Sequence, residues 1–143
     1  MKVIIAGSRT IFDFSLLEEA VKNAAFDITQ VVSGRARGVD QMGELWALKN
    51  GVNLKTFPAK WQTFGKVAGI LRNRTMAEYA DALIALMVQG GSSGTENMIH
   101  EMAKRGKPYY LMLCESPIIE PSTRIGALPS RVSDPDLKQG ELW

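Results

Sequence analysis

Apolar runs and stretches of helical spacing alternate along most of the chain. Val3-Ile4-Ile5-Ala6 and Ala82-Leu83-Ile84-Ala85-Leu86-Met87-Val88 are unbroken by charge and rich in aliphatic residues. Such runs predict strands covered on both faces, as in a parallel sheet. Residues 28–32, 52–57 and 109–114 predict three more strands, with Cys114 in the last. Between the runs the period changes. Ser15-Leu16-Leu17-Glu18 has the capping-box pattern, and Leu17, Val21 and Ala24 continue an apolar helical face. Residues 39–48 predict a second helix, stopped by Asn50-Gly51, and residues 65–80 a third. Residues 96–105 predict a fourth, with Met98, Ile99 and Met102 on one face, Gly106 at its end and Pro108 beyond.

This alternation predicts an α/β fold, a parallel sheet with helices on both faces. From Glu115 the pattern stops. Pro117, Pro121, Pro129 and Pro135, among Ser and Asp residues, leave no period. The chain therefore divides into a domain of residues 1–114 and a Pro/Ser-rich extension of residues 115–143. That extension either hugs the surface or is disordered.

Composition narrows the setting. A chain of 143 residues is long enough for one domain with a substantial core. No apolar run reaches the ~18–20 residues that span a bilayer. The first residues are too short for a signal-peptide core and fit a strand better. One cysteine and one histidine argue for a reducing, cytoplasmic home and against a structural zinc site. No metal or cofactor is expected. The net charge of +2 is too weak to argue for nucleic acid by itself.

The chemistry lies in three loops that follow strands, residues 7–10, 33–38 and 90–95. Right-handed crossovers would bring them to one edge of the sheet, where such folds bind ligands. Gly90-Gly91-Ser92-Ser93-Gly94-Thr95 separates a strand end from a helix start. Small residues let backbone approach a ligand, and free N–H groups at a helix start favour an anion, so a phosphate suits this loop. Many such turns hold glycine for steric reasons alone. The first loop offers Gly7, Ser8 and Arg9, and the second Ser33, Gly34, Arg35, Arg37 and Gly38. An arginine beside exposed amides clamps phosphate because its planar fork bonds two oxygens. Arg72-Asn73-Arg74 adds a polar cluster to the third helix. Asp40 suits either the positive end of a helix dipole or a ribose hydroxyl. Trp61 suits either packing over the sheet edge or stacking on a base. Glu96, His100 and Lys104 share one helix face, as a solvent-facing ion-pair ladder would. The Gly-Lys-Ser/Thr phosphate loop, the Gly-x-Gly-x-x-Gly fingerprint and the Gly-x-Ser-x-Gly elbow are all absent.

Taken together, these segments resemble the SLOG superfamily of nucleotide-ligand proteins. Gly7-Ser8-Arg9 is similar to its opening. Ser33-Gly34-Arg35-Ala36-Arg37-Gly38-Val39-Asp40 is similar to a segment of the DNA-processing DprA/Smf branch. Ala68-Gly69-Ile70-Leu71-Arg72-Asn73-Arg74-Thr75-Met76 is similar to the YspA-like branch, which is common in bacteria and their phages. The resemblance covers residues 1 to about 113. It implies a Rossmann-like, doubly wound sheet of about five mainly parallel strands, a pocket for a nucleotide-derived ligand, and self-association as a dimer or tetramer. It also invites comparison with the lonely-guy phosphoribohydrolases, whose catalytic arginine matches Arg72. Their catalytic glutamate falls at Met98, which cannot stabilise a developing sugar cation. Glu96 stands two residues too early.

Three functions follow as expectations. The first is a protein that senses or sequesters a phosphorylated nucleotide-derived ligand, as a bacterial or phage signal. The second is a nucleotide N-glycosidase using Arg72 with Glu96 or Asp40. The third, and weakest, is single-stranded nucleic acid binding.

Overall fold

The computed structural model describes residues 1–115. Five strands form one sheet: β1 (Lys2–Gly7), β2 (Gln30–Ser33), β3 (Asn53–Thr56), β4 (Ala82–Val88) and β5 (Tyr109–Cys114). Their order is β3-β2-β1-β4-β5, and every pairing is parallel. The order reverses between β1 and β4. Five helices connect the strands: α1 (Phe14–Ala24), α2 (Val39–Lys49), the single turn α3 (Trp61–Phe64), α4 (Ala68–Tyr79) and α5 (Ser93–Lys104).

Alternation along the central strands divides the core into two layers. On one face Val3, Ile5, Val31, Ile84 and Leu86 pack against Leu17, Ala20, Val39 and Met42 of α1 and α2. On the other, Ile4, Ala6, Val32, Leu83 and Ala85 pack against Met76 and Ala77 of α4 and Met98 and Met102 of α5. The doubly wound arrangement expected of the sequence is what the chain adopts. β3 departs from the pattern of strands covered on both faces. It is an edge strand with Asn53, Leu54 and Lys55 exposed, consistent with its polar composition.

Several boundaries differ from expectation, each for a local reason. Asp13, not Ser15, caps α1: its Oδ1 accepts from the Ser15 amide at 3.0 Å and from the Ser15 hydroxyl at 2.6 Å. The helix expected over residues 65–80 starts later, at Ala68, because Gly65 has φ 58°, outside the helical region. A 3-10 turn, Gly65–Val67, then leads into α4. α5 begins at Ser93, so Ser93, Gly94 and Thr95 form its first turn rather than a loop before it. The Glu96–His100–Lys104 ladder is replaced by a different set. Glu101 is buried, and Arg105, Lys104 and Arg74 approach it at 2.6, 3.4 and 3.8 Å. Arg74 is thereby committed to α5. Beyond Glu115 itself, the Pro/Ser-rich extension lies outside the described residues.

Candidate ligand-binding site

Where β1 and β2 end, glycines allow three backbones to meet. A Cβ on Gly7 would lie 2.0 Å from the Leu86 carbonyl oxygen, and one on Gly38 2.4 Å from that of Ser8. Gly38 also has φ 75°, a left-handed conformation that side chains disfavour. Ser8 is buried, and its Oγ accepts from the Val88 amide at 3.0 Å, tying the end of β1 to that of β4. Ser33 is buried as well; its hydroxyl donates to Glu44 Oε2 at 2.7 Å and accepts from the Arg35 amide at 3.1 Å. Both serines brace the framework.

The carboxylate of Asp40, in the first turn of α2, lies beneath this loop. Its Oδ2 accepts from the amides of Gly34 at 3.1 Å and Ala36 at 3.3 Å. Burial pushes the Asp40 carboxyl above its ordinary value, against the opposing pull of the Arg72 guanidinium, the Ala36 amide, Arg9 and the Gly34 amide. Arg72 comes from α4, on the opposite face of the sheet, and crosses the strand ends to reach this region. Its Nη1 donates to the Gly34 carbonyl and lies 3.5 Å from the Phe57 carbonyl, while Nε donates to Asn73 Oδ1 at 2.9 Å. Burial draws the Arg72 guanidinium below its usual value, with Asp40 acting the other way. Asn73 continues the chain, donating to Gly94 O at 3.2 Å and Asn97 Oδ1 at 3.0 Å. A buried polar relay thus joins the β2–α2 loop to the first turn of α5. The bonds that Arg72 donates are of the charged kind, which contributes about 1.5–3 kcal/mol each, and the neutral ones from Asn73 contribute about 0.5–1.5 kcal/mol each.

Above the relay opens a cleft of about 340 Å³, lined by Arg9, Gly34, Arg35, Ala36, Arg37, Pro58, Ala59, Trp61 and Arg72. Arg35 adopts φ 65°, left-handed for a residue with a side chain. Such conformations cost about 1–3 kcal/mol and gather where function requires them. Its guanidinium also pairs with Glu44 at 3.0 Å but stays mostly exposed. Burial pulls Arg9 below its usual value; Asp40 opposes this and Arg37 adds to it. Trp61 stands at the mouth, 37% exposed.

The residues expected to form the site therefore separate into groups. Arg9, Gly34, Arg35, Arg37, Trp61 and Arg72 line one cleft. Ser8, Ser33, Asp40 and Asn73 are buried supports around it, and Gly7 and Gly38 permit close packing. Residues 90–95 line neither this cleft nor its neighbour over β3. Residues 90–92 form a separate turn that leads into α5, in which Gly90 and Gly91 have φ 98° and 92° and the Glu96 carboxylate folds over Gly91, while residues 93–95 belong to the helix itself. Met98 is fully buried in the core. Sequence reasoning missed Glu44, although it stands i+4 from Asp40 on α2 and so shares its helical face. It also missed Pro58 and Ala59, which carry no chemical signature.

Comparison with known proteins agrees with this architecture. The model of the YAcAr family, described as the YspA, cpYpsA-related SLOG family, matches residues 1–64. The gene 61 protein of Mycobacterium phage D29 is 33% identical over 117 residues, covering 75% of this chain and 92% of the phage protein. The chain belongs to the YspA, cpYpsA-related SLOG family. Membership supports, at the level of a class, binding of a nucleotide-related ligand. The family match takes in the Arg9 and 33–40 segments of the cleft and ends before Arg72. A separate likeness to the DprA/Smf branch does not emerge from these comparisons. No solved structure matches the chain. Among the described residues, no helix of this SLOG protein is long and apolar enough to cross a membrane.

Proposed function

We propose that this SLOG protein binds a phosphorylated, nucleotide-derived ligand in the 340 Å³ cleft and acts as a sensor or sequestering protein rather than as a hydrolase. The observation that carries the reading is the gathering of four arginines, Arg9, Arg35, Arg37 and Arg72, around one cleft with an exposed tryptophan at its mouth. Arginine forks suit phosphate oxygens, and an indole face suits a base. The amides of Gly34 and Ala36 donate to Asp40, so these two are not turned to a ligand in the cleft. Among the described residues, the cleft lining contains no carboxylate. Glu96 lies over Gly91, and Asp40 is buried beneath the loop. Neither is set opposite Arg72 across the opening, which favours retention of a ligand over glycosidic cleavage.

The test is titration of the protein with AMP, ADP and ADP-ribose, followed by Trp fluorescence and native mass spectrometry, with products separated by chromatography. Micromolar binding of an unchanged ligand is expected, weakened about tenfold or more in Arg35→Ala, a loss of about 1.4 kcal/mol. Appearance of free base would replace the sensor by a glycosidase. Equal binding by wild type and Arg35→Ala would remove the cleft from the reading.

A further inference from the structure

A second cleft of about 300 Å³ adjoins the first over β3 and α4. Pro58 and Arg72 line both. Each cleft holds aromatic surface and cations of its own. In the first these are Trp61 with Arg35 and Arg37; in the second, Phe57 and Phe64 with Lys55 and Lys60. Phe64 is 46% exposed although it is a large apolar side chain. Lys55 Nζ stands 5.5 Å from the centroid of the Phe57 ring. The segment from Pro58 to Phe64 forms the wall between the clefts, so one short turn presents Trp61 to one side and Phe64 to the other.

We infer that the two clefts form one bipartite site for a ligand with two planar heterocycles joined through a phosphate bridge, the second heterocycle lying against Phe57 and Phe64. This rests on the function proposed above and extends it from a nucleotide to a dinucleotide. The chemistry is complementary at each point. A phosphate bridge passing the shared boundary meets Arg72, with cationic side chains on either side. Each heterocycle finds an aromatic face, and stacking of a base on such a face contributes about 1–3 kcal/mol. A mononucleotide would leave the Phe64 surface exposed.

The probes are ADP and diadenosine 5′,5″-diphosphate, which share a diphosphate and differ by one adenosine. Calorimetric titration of the full chain should show the dinucleotide binding at least about fivefold more tightly than ADP. Phe64→Ala should abolish that advantage while leaving the ADP affinity in place. Phe64 is exposed enough for the variant to fold, and Lys60→Glu gives an independent reading, since it should also weaken the dinucleotide selectively. Equal affinities for the two probes, or an advantage that survives both variants, would overturn the bipartite site while leaving the arginine-lined cleft intact. Binding of neither probe would overturn both.

Discussion

Two loops of this protein look alike in sequence and differ in what their glycines do. Gly34 and Gly38, after β2, are glycines of crowding. A Cβ on Gly34 would lie 2.3 Å from Arg72 Nη1 and 2.9 Å from Asp40 Oδ2, and one on Gly38 would strike the Ser8 carbonyl. Gly90 and Gly91, after β4, are glycines of conformation. Both have positive φ, and nothing lies within 4 Å of a Cβ on Gly90. The first loop has its amides engaged by a buried carboxylate and presents arginines to the cleft. The second opens a helix whose N-cap, Ser92, makes no side-chain cap bond, and carries the Glu96 carboxylate over its glycine. A glycine-rich turn between strand and helix is thus compatible with two unlike environments. What surrounds the glycine decides its chemistry.

The largest expected effect comes from the buried carboxylate on which the first loop is built. Asp40→Ala would leave the guanidiniums of Arg72 and Arg9 without this counter-charge and the amides of Gly34 and Ala36 without their acceptor. Breaking a buried pair in this way costs about 3–5 kcal/mol, measurable by urea denaturation. A comparable carboxylate change at the second loop, Glu96→Ala, should cost no more than about 0.5 kcal/mol, because Glu96 is exposed.

Next come the glycines. Gly38→Ala combines left-handed strain with overpacking and should cost about 2–4 kcal/mol. Gly90→Ala meets open space and should cost only the conformational part, about 1–2 kcal/mol. Equal losses at the two positions would erase the distinction between crowding and conformation.

A smaller effect separates the two buried carboxylates by sign. Burial works to raise Glu101, but hydrogen bonds from Arg105 and Lys104 outweigh it and hold the group below the ordinary glutamate value. Its stabilisation is present above that ordinary value and is lost as pH falls through the lower folded-state value. Glu101→Gln should therefore cost about 1–3 kcal/mol at neutral pH, with the difference from wild type shrinking on acidification. Asp40 is pushed the other way, chiefly by burial. Its contribution to stability declines as pH rises from the ordinary aspartate value through the raised one. Chemical denaturation across pH for Glu101→Gln and Asp40→Asn should show the two differences moving in opposite directions.

The sheet was legible because its signals are local. β4 and β5 fall where the apolar runs place them, at Ala82–Val88 and Tyr109–Cys114, although only β4 is covered on both faces and β5 is an edge strand with Tyr109 and Leu113 exposed. The ends of helices were harder, because a cap depends on single dihedrals: Asp13 displaces Ser15, and Gly65 breaks α4 from α3. In the site, arginines beside glycines were visible as a type. Their assembly was not, because Arg72 reaches Gly34 from the opposite face of the sheet, across 38 positions of sequence. Left-handed Arg35 carries no signal either, since the neighbouring glycine is where a positive φ would be sought. The second cleft depends on Phe57, Phe64 and Leu71 remaining accessible, and apolar residues ordinarily read as core.

The most direct measurement is the ADP affinity of three proteins under identical salt: wild type, Arg35→Ala and Ser92→Ala. Arg35 pairs with Glu44 while mostly exposed, so its removal should change stability by no more than about 1 kcal/mol. Its effect on binding can therefore be read cleanly. A loss of about tenfold or more in Arg35→Ala, with Ser92→Ala within about twofold of wild type, is the expected result. The reverse pattern, with Ser92→Ala impaired and Arg35→Ala unchanged, would contradict the arginine cleft and move the ligand to the glycine loop at the start of α5.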